Sequence, residues 1–127
     1  MRLWSIRSVL ITLLFFSSVA CADIEHWTEK ERKLYHSYIA LTTIDTIQTM
    51  KMIDCQKQAE CNLVEINPIL GERPTKSKLI ATKIIGNVII YRMLDRDDVD
   101  REKALRWLNA VQGLVVTNNG IYWYKEF

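Results

Sequence analysis

Asp45, Gln48 and Glu65 are the side chains of this chain best suited to chemistry. Two carboxylates brought together do acid/base work when their surroundings split their pKa values. Asp45, Gln48 and Thr49 fall on successive turns of a helical pattern. Glu65 and Asn67 precede Pro68, where their side chains can bond free backbone donors and fix the angle between two helices. A cluster of this kind serves either as a buried polar network that sets packing or as a small site for an ion or ligand. The usual catalytic signatures are missing: there is no Ser-His-Asp spacing, Gly-rich phosphate loop or metal motif. Zinc takes ~4 ligands, and His26 and His36 lie in a charged helix start, away from the cysteines. The sequence therefore assigns no catalytic residue, no metal and no cofactor.

The three cysteines point to a compartment. Arg2 and Arg7 precede an apolar run from Val9 to Phe16, and small residues follow through Ala22. A basic start, apolar middle and small-residue exit make a secretory signal, and the run is short of the ~20 residues a bilayer span needs. Ala20-Cys21-Ala22 is a small-x-small cleavage site. Ser18-Val19-Ala20-Cys21 also reads as a lipobox with Ser where Leu is usual, which would make Cys21 a lipidation site. Either exit leaves Cys55 and Cys61 as an even pair, expected to oxidise to a disulfide outside the cytoplasm. The expected organisation is a signal peptide, 1–22, and one helical domain, 23–127. Taking Arg2 and Arg7 from the 17 basic residues leaves 15, equal to the 15 acidic ones. A neutral mature chain offers no electrostatic reason to bind nucleic acid.

These residues need helices to position them. Thr28 and Glu31 have capping-box spacing, and the pattern from Glu29 to Asp54 has one polar face carrying Asp45, Gln48 and Lys51. Asn67-Pro68, Gly71 and Pro74 punctuate the middle, with a short helical turn expected at Pro68–Leu70. Thr75 or Ser77 then caps a helix from Lys78 to Leu94, with Ile80, Ala81, Ile84, Ile85, Val88, Ile89 and Ile90 as its expected core. Asp95–Lys103 reads as a solvated linker, with Asp100 capping a third helix from Ala104 to about Thr117. Asn118-Asn119-Gly120 should end that helix before an aromatic tail. The fold class is all-α: an N-terminal signal helix followed by a small bundle of three main helices.

The apolar content exceeds the stripe of a surface helix, which favours helices embedded in a membrane. Against this, an ionised group in a span costs ~2.5–3.5 kcal/mol. Embedded helices would have to turn their polar groups toward one another, with Asp45 and Lys83 as a mutual pair and Tyr91, Trp107, Tyr122, Trp123 and Tyr124 as interface anchors. A first span following a cleaved signal would carry Cys55 and Cys61 inward, in conflict with their oxidation.

The stretch Trp27–Asn119 resembles an uncharacterised family of short, signal-bearing bacterial proteins that are helical or membrane-associated. The likeness rests on Trp27, on Asp45-x-x-Gln48-Thr49, on Glu65-x-Asn67-Pro68-Ile69-Leu70-Gly71, and on Pro74 with Thr75 where the family has Ser. Asn118 is a candidate for the family's Asn near the end of the last helix. The Cys55/Cys61 pair and the charge density of Asp95–Lys103 depart from the pattern. The resemblance implies a helical, membrane-associated architecture and no activity.

Together these features lead us to expect an exported protein of the inner membrane or periplasm, with lipoprotein anchoring at Cys21 as the alternative to simple cleavage. It would act as a structural or interaction module whose partners are the membrane, another envelope protein or lipid. A small envelope enzyme or transport component using Asp45, Gln48 and Glu65, and a phage-encoded envelope factor, are the competing expectations.

Overall fold

In a computed structural model the chain forms a small all-α bundle. Residues 24–57, 61 and 74–126 are described, with the side chains of 122–126 left out. The helices are α1 (Glu29–Gln56), α2 (Lys76–Leu94) and α3 (Arg101–Glu126). No strand occurs among the described residues. The expected signal peptide, Cys21, Glu65, Asn67 and the turn expected at Pro68–Leu70 lie outside them.

Each helix starts on a side-chain oxygen that satisfies an otherwise orphaned backbone donor. Thr28 Oγ1 accepts from Glu31 N at 3.2 Å, and Glu31 Oε2 accepts from Thr28 N at 2.9 Å, which completes the capping box. Thr75 Oγ1 accepts from Lys78 N at 3.2 Å. Asp100 Oδ1 accepts from Lys103 N at 3.1 Å.

The cross-helix bonds give the topology. Asn109 Nδ2 donates to Leu34 O and Asn119 Nδ2 to Asp45 Oδ1, so α1 and α3 run parallel. Tyr38 pairs with Asn87 and Asp45 with Lys83, so α1 and α2 run antiparallel. The short turn 95–100 joins α2 and α3 as an open αα-hairpin whose two helices make little close contact with each other, and α1 packs mainly against α3. The core is split in two. At the hairpin turn, Ile24, Trp27, Tyr35, Tyr38, Ile39, Leu94 and Leu105 are buried together. At the other end Met50, Ile53 and Leu79 form a smaller cluster. The polar residues of α1 fill the layer between.

The turn cluster is fastened by charge. Trp27 Nε1 donates to Asp95 Oδ1 at 3.1 Å, and His26 Nε2 lies 2.8 Å from the same oxygen. The Trp27 bond is the main reason the Asp95 carboxyl sits below its ordinary pKa. Arg101 lies 4.6 Å over the Trp27 ring, donates from Nε to Leu94 O at 2.8 Å and pairs with Glu31 at 3.1 Å. The expected solvated linker is therefore partly structural: Asp95 and Arg101 turn inward, while Arg96 and Asp98 pair on the surface.

Three further expectations are corrected. Helix α3 continues through Asn118-Asn119-Gly120 to Glu126, because bonds from Gln48 to Val116 O and from Asn119 to Asp45 hold that stretch against α1. Packing here outweighs the local stop signal. Ile85, Val88 and Ile89 are exposed rather than core, because α2 turns Leu79, Asn87 and Leu94 toward α1. Finally, none of the described helices is long and apolar enough to cross a membrane, because polar and charged residues interrupt each one.

Tyr35 is 1% exposed. Burial, reinforced by the Tyr38 and Tyr91 phenols, pushes its pKa up to about 12. The fold thus holds the neutral phenol. Its contribution is complete below the unfolded-state value of about 10 and is lost as pH rises through about 12. Thermal unfolding followed by circular dichroism should show stability falling between pH 10 and 12. Tyr35→Phe should flatten that decline, and an unchanged slope would refute the assignment.

Candidate functional site

The polar layer between the two apolar clusters centres on Asp45, whose side chain is 7% exposed. Helix α1 carries Thr42, Asp45, Thr46 and Thr49 into the interior while Ile44 faces out at 43%. The middle of the helix thus buries polar side chains, where an ordinary amphipathic helix buries apolar ones, while Tyr35, Tyr38, Ile39, Met50 and Ile53 are buried toward its two ends. Thr46 and Thr49 tolerate this by bonding their own helix: Thr46 Oγ1 donates to Thr42 O at 2.8 Å and Thr49 Oγ1 to Asp45 O at 2.9 Å. Such bonds satisfy a buried hydroxyl without a partner from another helix.

Both carboxylate oxygens of Asp45 are engaged. From α2, Lys83 Nζ pairs with Oδ2, its own side chain 17% exposed. From α3, Asn119 Nδ2 donates to Oδ1 at 2.8 Å. A buried carboxylate is tolerable only when its charge is matched and its lone pairs are filled, and here one residue from each of the other helices does so. One turn away on α1, Gln48 Nε2 donates to Val116 O at 3.2 Å, tying the same face of α1 to α3. Toward the hairpin turn, Tyr38 OH donates to Asn87 Oδ1 at 2.9 Å, and Asn87 is 4% exposed. Burial first, and the Asp45 charge second in the same direction, raise the Tyr38 pKa, so this phenol stays protonated as a donor.

The layer also holds unused capacity. Gln48 Oε1 and Asn87 Nδ2 are buried and have no hydrogen-bond partner. At the far end Cys55 and Cys61 are disulfide-bonded, with a Cα–Cα separation of 5.5 Å, and Lys76 of α2 pairs with Asp54 of α1 at 2.8 Å.

Of the residues singled out in the sequence, Asp45, Gln48 and Thr49 share this layer. Lys83 meets Asp45 as expected. Glu65, Asn67 and Pro68 lie outside the described residues. His26 sits at the exposed edge of the turn cluster, and among the described residues no group of three His, Cys, Asp or Glu could hold a metal ion. Asn87, one turn from Lys83 in the sequence pattern, joins the same layer, and the sequence reading missed two participants, Asn119 and Arg101. Asn119 was hidden because Asn118-Asn119-Gly120 reads as a helix stop. The usable signal was the run Asn109, Gln112, Val116, Asn119, which recurs every three or four residues and marks the stripe of α3 facing α1.

Chemically, Asp45 has neither a free oxygen nor an open approach. With Lys83 as counter-charge and Asn119 as donor, it is arranged to hold helices together rather than to move a proton. Comparison with family models, curated proteins and solved structures finds no match to this chain.

Removing one member of a buried ion pair leaves the other uncompensated, which costs ~3–5 kcal/mol, whereas replacing both by apolar groups is often close to neutral. Urea unfolding should show Asp45→Asn losing several kcal/mol and the Asp45→Asn, Lys83→Met double variant regaining most of it. A double variant as unstable as the sum of the singles would refute the pairing. Asn119→Ala should cost ~1.5–3 kcal/mol, as for a bond to a charged group. Asn118→Ala, whose side chain has no such role, should stay within about 0.5 kcal/mol.

Proposed function

We propose that this chain is an exported, membrane-associated protein of the bacterial cell envelope that acts as a structural or interaction module. The observation carrying this reading is the inversion of polarity. The charged and amide groups that look catalytic in the sequence are consumed between the helices, while large apolar side chains point outward from α2 and α3. Trp107 is 67% exposed and Leu114 72%. Exposed apolar surface on this scale marks a contact face, and Asp45 is committed to Lys83 and Asn119.

Export is supported by the leader pattern of residues 1–22 and by the bonded Cys55–Cys61 pair, since structural disulfides persist outside the reducing cytoplasm. Membrane association, in this reading, needs no spanning by α1, α2 or α3. Anchoring at Cys21 or contact through the apolar face would supply it.

One observation favours a second reading, a transport component that handles a small polar solute: the unfilled Gln48 Oε1 and Asn87 Nδ2 beside a buried ion pair. The two readings diverge in the Asp45→Asn, Lys83→Met variant. A module keeps its cellular role once the fold is restored, whereas a solute site loses it.

Cell fractionation with thiol trapping tests the compartment. The expected outcome is protein in the envelope fraction whose Cys55 and Cys61 react with a maleimide only after reduction. Free thiols on protein in the cytosolic fraction would refute export.

A further inference from the structure

The outward face of the α2–α3 hairpin has the size and shape of a protein interface. Ile85, Ile89 and Met93 on α2 recur at helical spacing and are 60%, 53% and 57% exposed. Trp107, Val111 and Leu114 do the same on α3 at 67%, 46% and 72%. No acidic or basic residue occurs between Lys83 and Arg92, or between Arg106 and Lys125. Between the two stripes, at the turn end, lies a groove of about 460 Å³. Its walls include Ile90, Leu94, Ala104 and Leu108. Those same residues back onto the turn cluster from the other side, so the groove floor is rigid core.

We propose that this face binds a second copy of the same chain, as a two-fold dimer in which the hairpins pack face to face with α1 on the outside. This rests on the reading of the protein as an interaction module and names the partner of that surface. Three observations select a second copy. The first is area. Side chains of this size, exposed to this extent, present on the order of 800 Å² of apolar surface, which is what one partner contributes to a standard stable interface.

The second is shape. A two-fold contact requires a patch complementary to itself. This face holds both a hollow and, on its edge, the projecting Trp107 and Leu114, so each copy can fill the other's groove while its own is filled. The third is charge. Asp100 and Lys103 both line the groove mouth, so the patch carries one charge of each sign, as a self-complementary contact needs.

The test is sedimentation equilibrium on the full chain as isolated, without detergent, across nanomolar to high micromolar concentrations. A reversible dimer is expected. Trp107→Ala and Leu114→Glu should each weaken it at least 30-fold, as expected for a central aromatic anchor and a buried charge. Their unfolding midpoints, extrapolated to low concentration, should stay unchanged, because both side chains are exposed in the single copy. Arg106→Ala, off the face, should dimerise as the parent does. Two outcomes overturn the proposal: a species that stays monomeric throughout, or a dimer indifferent to both face substitutions. Flotation with phosphatidylethanolamine–phosphatidylglycerol vesicles separates this failure from failure of the module reading. A monomer that floats, and stops floating on Leu114→Glu, has a lipid-facing surface, and only the dimer is lost. A monomer that does not float loses the dimer and the lipid contact alike, and the module reading then rests on the fractionation experiment above.

Discussion

A carboxylate inside a small helical bundle has to be neutralised on the spot, and that requirement sets the register of this fold. Asp45 sits near the middle of α1, with one oxygen facing a lysine from α2 and the other an amide from α3. Apolar contacts are permissive: a helix can slide by a residue or rotate by part of a turn and still bury aliphatic surface. The Asp45 contacts allow no such slack, because a shift of either neighbour strands a charge or a donor in a site closed to water. A single side chain thereby fixes where two helices stop sliding. Buried polar groups in a core commonly have this consequence, raising the cost of alternative packings.

The two apolar clusters flanking this layer divide the remaining work. The cluster at the hairpin turn is built on Trp27, whose ring is boxed by Tyr35 edge-on, Tyr91 stacked at 6.0 Å and the Arg101 guanidinium. Its indole N–H reaches Asp95, so the aromatic is held by both its faces and its edge. Arg101 in turn closes the end of α2 through Leu94 O and the start of α1 through Glu31. Burial alone would raise the Glu31 pKa, but bonds from Thr28 N and Arg101 outweigh it and hold the carboxyl low. The N-terminal entry, the hairpin turn and the start of α3 are thus joined at one place.

Much of this was readable from the residues, and the misses have physical causes. Helix starts were legible because Thr28, Thr75 and Asp100 act locally, within a turn of the backbone they satisfy. The Asp45–Lys83 pair was legible because two unlike charges on otherwise apolar helices have few other remedies. The end of α3 was not, because what carries the helix through Asn118-Asn119-Gly120 is contact with residues some 70 positions earlier. The orientation of α2 was also hidden. Its apolar residues surround most of the helix, so periodicity could not decide which side faces α1, and Ile85 and Ile89 were assigned inward when Leu79 and Asn87 take that place. Composition gave the amount of apolar surface and left open which part of it is covered.

The parallel pairing of α1 with α3 has a consequence for how the chain reaches this state. The bonds that join them link residues 68 to 75 positions apart in sequence. The nearer neighbour, α2, supplies the smaller share of the contact. A chain emerging from its N-terminus therefore exposes α1, with its threonines and Asp45, well before the helix that covers it exists. Closing so long a loop is entropically expensive and slow compared with pairing adjacent helices. The polar layer around Asp45 is complete only once α3, which carries Asn119, is in place.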